Sequence, residues 1–202
     1  MNRTEVLEYI GTLRDGASMI ISPGLANYTI AARSDHPLTI YHMDMPYATP
    51  MALGIALGWP EKRVVSIEGD GSLLAGPGVL TTIARYRPRN LIVVVFDNGA
   101  YLTTGSGRAP TATASGADIE QMARAAGMTR TRTVAEAGPA KEALEKSFRE
   151  PGPWLIIAKV DKTDRPAERI RTALPVSVFE AGFRFRRAAL EERVGAPNRS
   201  SS

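Results

Sequence analysis

Apolar positions along this chain switch repeatedly between two periods. Val6, Leu7, Ile10 and Leu13 recur at helical spacing and predict an amphipathic helix over 3–14, ended by Gly16. Short apolar runs at 19–21, 38–41, 64–67, 91–96, 129–134 and 154–160 predict strands. Between them lie segments that read as helices: 25–33, a small and apolar stretch over 47–57 suited to burial, 78–85, one from a cap at Asp118 to 126, and 137–149. Residues 99–116 are rich in Gly, Thr and Ala and show no period, which predicts a loop. A loop that long inside a compact domain is usually functional or disordered. Strands alternate with helices throughout, so the expected architecture is α/β: a three-layer, doubly wound, mainly parallel sheet with helices on both faces.

Composition narrows this picture only in places. At 202 residues the chain is long enough for one sizeable core, and the pattern divides it into a domain over 1–164 and a tail over 165–202. No apolar run approaches the roughly 18 residues of a membrane span, and the charged start Met1-Asn2-Arg3-Thr4-Glu5 is not a signal-peptide core. Cysteine is absent, which excludes disulfides, thiolate metal sites and iron–sulfur clusters and fits a cytoplasmic enzyme. The net charge of +4 equals the balance of the eight Arg and four Glu from Arg165 onward, so residues 1–164 are neutral. The tail has no Lys, and its aromatic residues are Phe179, Phe183 and Phe185. It reads less as a nucleic-acid binder than as a segment packing on a neighbouring subunit through those Phe residues while its Arg side chains stay solvated.

The chemistry concentrates at two strand ends. Gly69-Asp70-Gly71-Ser72 follows the run at 64–67, and Asp97-Asn98-Gly99-Ala100-Tyr101 follows the run at 91–96. Asp70 and Asn98 lie 28 positions apart, close to the roughly 30 residues of a strand–helix–strand unit. Neighbouring parallel strands would carry both to one sheet edge, where ligands of open α/β sheets bind. A carboxylate, an amide oxygen and a backbone carbonyl suit Mg²⁺, which also takes phosphate oxygens. Gly69 and Gly71 let backbone approach a phosphate, and the amides of Gly71 and Ser72 would face it from a helix start. Alone, Gly-Asp-Gly is an ordinary turn, and Asn-Gly is a hairpin signal. Their pairing at this spacing, with no strand expected after the second, favours a Mg²⁺–diphosphate site.

The paired motifs resemble the signature of the thiamine diphosphate-dependent enzymes, Gly-Asp-Gly followed after a spacer by Asn-Asn. Asn98 matches the second Asn, and Asp97 departs from the first. The segment from Met43-Asp44-Met45-Pro46 to Gly54 resembles one that begins Gly-Ser-Met-Gly in relatives. Tyr101-Leu102-Thr103-Thr104-Gly105 with Pro110-Thr111 resembles the sulfopyruvate and phosphonopyruvate decarboxylase group, and the likeness spans roughly residues 20–160. It implies the thiamine diphosphate-binding fold, with Mg²⁺ on Asp70, Asn98 and the carbonyl of Ala100. Ser22, Gly24 and Leu25 would cradle the diphosphate, with Gly69, Gly71, Ser72, Asn98, Tyr101 and Thr103 around the cofactor. The carbonyl of Met43 would accept from the aminopyrimidine. Met45 would wedge between the two rings and hold the bent conformation that makes proton removal intramolecular; otherwise both Met are core filler. His42 is either a donor to a substrate carboxylate or a packed residue, and His36 a surface one. Thr103, Thr104, Gly105 and Thr111 are candidates for holding a substrate anion or closing over the site.

Members of this family also need a carboxylate against N1′ of the aminopyrimidine, supplied by a separate pyrimidine-binding domain. Glu5, Glu8 and Glu68 offer no recognisable context for that task. The resemblance therefore implies a β-type subunit of a 2-oxo acid decarboxylase, active with an α-type partner carrying the pyrimidine domain and the activating glutamate. Sulfopyruvate or phosphonopyruvate would yield an aldehyde and carbon dioxide. The alternatives are a subunit of another split thiamine enzyme, such as an acyloin synthase or a transketolase, or a regulatory subunit that kept the fold without turnover.

Overall fold

The apolar runs of the sequence become the strands of one parallel sheet. The computed structural model describes residues 1–102, 109–161 and 174–195. In chain order the elements are α1 (Arg3–Leu13), β1 (Ser18–Ile21), α2 (Ala26–Ser34), β2 (Thr39–Ile40), α3 (Ala48–Gly58), β3 (Val64–Gly69), α4 (Asp70–Leu74), α5 (Val79–Tyr86), β4 (Leu91–Asp97), β5 (Ala100–Tyr101), β6 (Ala109–Pro110), a 3₁₀ turn (Ala112–Ser115), α6 (Ile119–Ala125), β7 (Thr131–Val134), α7 (Ala137–Arg149), β8 (Trp154–Lys159) and α8 (Val178–Gly195). The main sheet runs β2-β1-β3-β4-β8-β7, and every neighbouring pair in it is parallel.

Both faces of this sheet are covered, which is why β4 reads as an unbroken apolar run. Side chains alternate across it. Ile92, Val94 and Phe96 join Ile21, Val65 and Ile67 in a core roofed by α1, α2 and α7. Val93 and Val95 face the other way, with Ile20, Val64, Leu155 and Ile157, against α3, α5 and α6. Asn2 caps α1 by accepting from Glu5 N at 3.1 Å, and Asp118 caps α6 by accepting from Gln121 N at 2.9 Å.

Several expectations need correction. The run at 38–41 yields only the two-residue β2. A short helix, α4, follows β3 directly; at five residues it is too brief to show a period. The expected loop at 99–116 contains the antiparallel pair β5–β6 and the 3₁₀ turn. A strand does follow Asn98-Gly99, but it pairs with β6 and not back onto β4.

The tail is the larger surprise. Within its described part, α8 lies along β2, one of the two edge strands of the main sheet, and so covers an edge that would otherwise be open to pairing. Ala181 and Phe185 are buried on this chain's own cores, while Phe179 and Phe183 are 84% and 73% exposed. Arg184 is not left to solvent: its guanidinium forks onto Asp35, Nη1 to Oδ2 at 2.9 Å and Nη2 to Oδ1 at 2.7 Å. Lys62 and Glu192 add a second tie at 2.5 Å. No described helix is long and apolar enough to cross a membrane.

Candidate functional site

From β1 the chain steps outward to β2, then returns across β1 to β3 and continues outward to β4. The order reverses between β1 and β3, and such a switch point opens a crevice at the C-terminal strand ends. Register brings the ends together: Ile21 pairs with Ile67, and Gly69 with Phe96. Ser22, Asp70 and Asn98 therefore leave the sheet at one edge, around a cavity of about 720 Å³.

The loop after β1 forms one wall through Ser22, Gly24 and Leu25. Gly24 has φ +134°, and a Cβ there would meet nothing within 4 Å, so its backbone lies open to the cavity. Buried Asn27 holds the loop: Nδ2 donates to Ser22 O at 2.8 Å and Gly24 O at 2.9 Å, and Oδ1 accepts from His42 N at 2.7 Å. This ties the loop to the His42–Met45 segment. His42 and Met45 both line the cavity, Met45 at 41% exposed near its mouth. Burial pulls the His42 pKa below its ordinary value, and the imidazole stands edge-on to Tyr28 at 5.6 Å. Met43 is not in the wall; it packs against the α3 layer, and its N–H donates to Ile21 O at 2.8 Å.

Gly69, Asp70, Gly71 and Ser72 form the floor. Gly69 N donates to Ser22 Oγ at 3.3 Å, and the Ser22 hydroxyl proton faces the Glu68 carboxylate. Gly71 is constrained by protein as well as by any ligand: a Cβ there would stand 2.2 Å from the Tyr101 ring and 2.9 Å from Thr111 Cγ2. The buried Ser72 hydroxyl faces the Glu68 carboxylate, whose Oε2 is otherwise buried without a partner. Glu68 is 1% exposed in the same wall. Glu68 Oε1 accepts from Thr49 N and Thr49 Oγ1, each at 2.9 Å, pinning the start of α3. Burial raises the Glu68 pKa, opposed by neighbouring Ser72 and Thr49. Sequence reasoning grouped Glu68 with Glu5 and Glu8, but those two pair at the surface with Lys141 and Arg33.

At the end of β4, Asn98 Oδ1 accepts from Ala100 N at 3.1 Å. Asp97 is 4% exposed: Oδ1 accepts from Gly99 N at 3.1 Å and Thr113 Oγ1 at 2.8 Å, and Oδ2 accepts from Lys159. That pairing explains an acid at the first motif position, where an amide could not neutralise Lys159. Thr111, a candidate for holding a substrate anion or closing over the site, donates to Asp70 Oδ2, and Thr113 Oγ1 stands 2.7 Å from the same oxygen. Ala100 and Tyr101 line the cavity, and Thr103, Thr104 and Gly105 lie outside the described residues. Arg3, from the start of α1, also reaches the wall at 8% exposed, and nothing local in the sequence signals it.

The family model described as thiamine pyrophosphate enzyme, C-terminal TPP binding domain, matches residues 22–158. This chain belongs to that family. Among similar proteins, a sulfopyruvate decarboxylase from Methanosarcina acetivorans is 32% identical over 187 residues, covering 92% of this chain and 46% of its own length. A sulfopyruvate decarboxylase subunit beta from Methanocaldococcus jannaschii is 31% identical over 145 residues, 72% of each chain. The chain thus spans about half the length of the first of these relatives. A solved thiamine diphosphate-dependent 4-hydroxybenzoylformate decarboxylase from Rhodococcus jostii shares the fold, with a TM-score of 0.64 and 18% identity over 82% of this chain and 33% of that one.

The residues present fit the cofactor that thiamine pyrophosphate enzymes carry. Among the described residues no three His, Cys, Asp or Glu side chains form a metal cage. Asp70, Asn98 and the Ala100 carbonyl make a sparse oxygen set, as Mg²⁺ accepts when phosphates and water complete its shell. The open backbone at Gly24 suits the diphosphate.

Proposed function

We propose that this chain is the diphosphate-binding, β-type subunit of a cytoplasmic thiamine diphosphate- and Mg²⁺-dependent 2-oxo acid decarboxylase, acting on sulfopyruvate or phosphonopyruvate. The observation that carries this reading is the convergence of Asp70, Asn98 and the Ser22–Leu25 loop on one cavity at the switch point. The names of the similar proteins support the substrate class, and one named as a β subunit supports a split enzyme.

In this reading Asp70, Asn98 and Ala100 hold Mg²⁺, and Ser22, Gly24, Leu25, Gly71 and Ser72 offer amides and hydroxyls to the diphosphate. The bound cofactor supplies an electron sink for the carbanion left when carbon dioxide departs. Met45, 41% exposed in the cavity lining, would set the angle between the cofactor's rings. Neutral His42 has one N–H to offer a substrate carboxylate. Glu68 is occupied within this chain, Oε1 by Thr49 and the carboxylate as a whole by the neighbouring Ser72 and Ser22 hydroxyls; in this reading the partner subunit brings the N1′ glutamate with its pyrimidine domain.

Calorimetry of the reconstituted enzyme tests the metal assignment. Asp70→Ala and Asn98→Ala should each abolish Mg²⁺-dependent retention of thiamine diphosphate, and cofactor binding like wild type in both would refute it. The split-enzyme reading makes a second prediction. Without the partner's glutamate the chain should lack a proton-transfer group worth about a hundred- to ten-thousand-fold in rate. Carbon dioxide release from a 2-oxo acid should be faint for the purified chain with saturating cofactor and Mg²⁺, and should return in a heteromer with the partner. Robust turnover by the chain alone would overturn it.

A further inference from the structure

We propose that Thr111 and Thr113 are positioning residues that hold one oxygen of Asp70, so that this carboxylate meets its cation through the other oxygen alone. The inference rests on the reading of Asp70 as a Mg²⁺ ligand and adds what sets its denticity. Asp70 is 2% exposed, and its Oδ2 accepts from Thr111 Oγ1 and from Thr113 Oγ1 at 2.7 Å. The two hydroxyls also touch each other at 3.0 Å.

The clamp is fastened at its other end. Thr111 N donates to Gly99 O at 3.1 Å, and Ala114 N donates to Thr111 O at 3.1 Å, so both threonines sit where the returning segment meets the metal motif. Thr113 Oγ1 also stands 2.8 Å from Asp97 Oδ1, and Asp97 is neutralised by Lys159. A hydroxyl has one proton, so Thr113 donates to Asp70 Oδ2 or to Asp97 Oδ1, one at a time. The chain leaves Asn98 through Ala100 and Tyr101, and Thr111 and Thr113 meet the neighbouring ligand Asp70.

Chemistry gives this arrangement a purpose. Mg²⁺ requires near-ideal octahedral geometry, whereas the larger Ca²⁺ accepts carboxylates through both oxygens in flexible shells. A carboxylate with one oxygen held by hydroxyls suits the first ion and handicaps the second. Partners that orient a ligand are typically worth about 10- to 100-fold in metal affinity.

The test uses the full chain with thiamine diphosphate and its partner subunit, with Mn²⁺ as the spectroscopic probe. Free Mn²⁺ is followed by electron paramagnetic resonance, and Mg²⁺ and Ca²⁺ are measured as competitors. Thr111→Val and Thr113→Val keep the side-chain shape and remove the hydroxyl. Each should weaken Mn²⁺ and Mg²⁺ by about 10-fold while Ca²⁺ weakens less, so that the Ca²⁺-to-Mg²⁺ affinity ratio rises. Thr111→Ser and Thr113→Ser should restore the wild-type ratio. A purely structural role would weaken both ions alike, and an unchanged ratio in the Val variants overturns the proposal. Thr113 is only partly buried, so Thr113→Val carries the test if Thr111→Val fails to fold. Wild-type protein that binds no Mn²⁺ at all would instead remove the metal-site reading beneath it.

Discussion

Gly71 shows at the scale of one residue how a short motif serves two masters. Its missing side chain leaves room for the Tyr101 ring, whose hydroxyl donates to Gly71 O at 3.3 Å. Gly71→Ala should drive the ring away and cost about 1–3 kcal/mol, as overpacking does, with a parallel loss of cofactor retention; thermal melts and calorimetry would read the two effects separately. At Met45 the expectation is different. Its partial exposure means Met45→Ala should barely change stability, yet it should slow turnover more than it weakens cofactor binding, with Met45→Leu mild. Unchanged turnover in Met45→Ala would remove the wedge role. Asp70 and Asn98 were legible in the sequence because each sits in a local pattern after an apolar run. Asn27, Thr113 and Lys159 were not, since their meaning arises only from folding: Lys159 meets Asp97 across 62 positions, and no spacing rule foretells that.

Among the elements, the buried strands and helices could be read from periodicity, because continuous apolar runs covered on both faces leave little ambiguity. α8 could not, because its two faces compete. Ala181, Phe185, Ala188 and Ala189 face the cores, while Phe179, Phe183, Leu190 and Val194 stay exposed. Phe185→Ala should therefore cost about 3–5 kcal/mol, whereas Phe183→Ala should stay within roughly 0.5 kcal/mol in the isolated chain; urea titrations would separate them. Docking of α8 also has a pH signature. The Arg184 guanidinium holds the Asp35 carboxyl below its ordinary range. Such a group contributes stability above its unfolded pKa, near 3.9, and loses it as pH falls through the lower folded value. The pair is partly exposed, so the gain is at most about 1 kcal/mol. Asp35→Asn should remove that part of the acid-limb slope and leave stability at pH 9 changed only by a constant offset.

Across the whole molecule, the division into two cores and one ligand-bearing edge follows from strand order, and strand order is the property least visible in a linear pattern. Parallel neighbours and alternating helices were predictable, but the place of the last strand was not. β8 enters between β4 and β7, not outside them. During synthesis from the N-terminus, β4 must wait with one edge unpaired until the chain through Lys159 has left the ribosome. That edge carries Leu91 to Phe96, every residue buried in the finished fold, and such an edge templates aggregation. Ribosome-stalled chains ending before Trp154 should bind holdase chaperones, whereas chains stalled with β8 fully emerged should release them. The waiting time, at about 5–20 residues per second, is thus written into the position of a single strand.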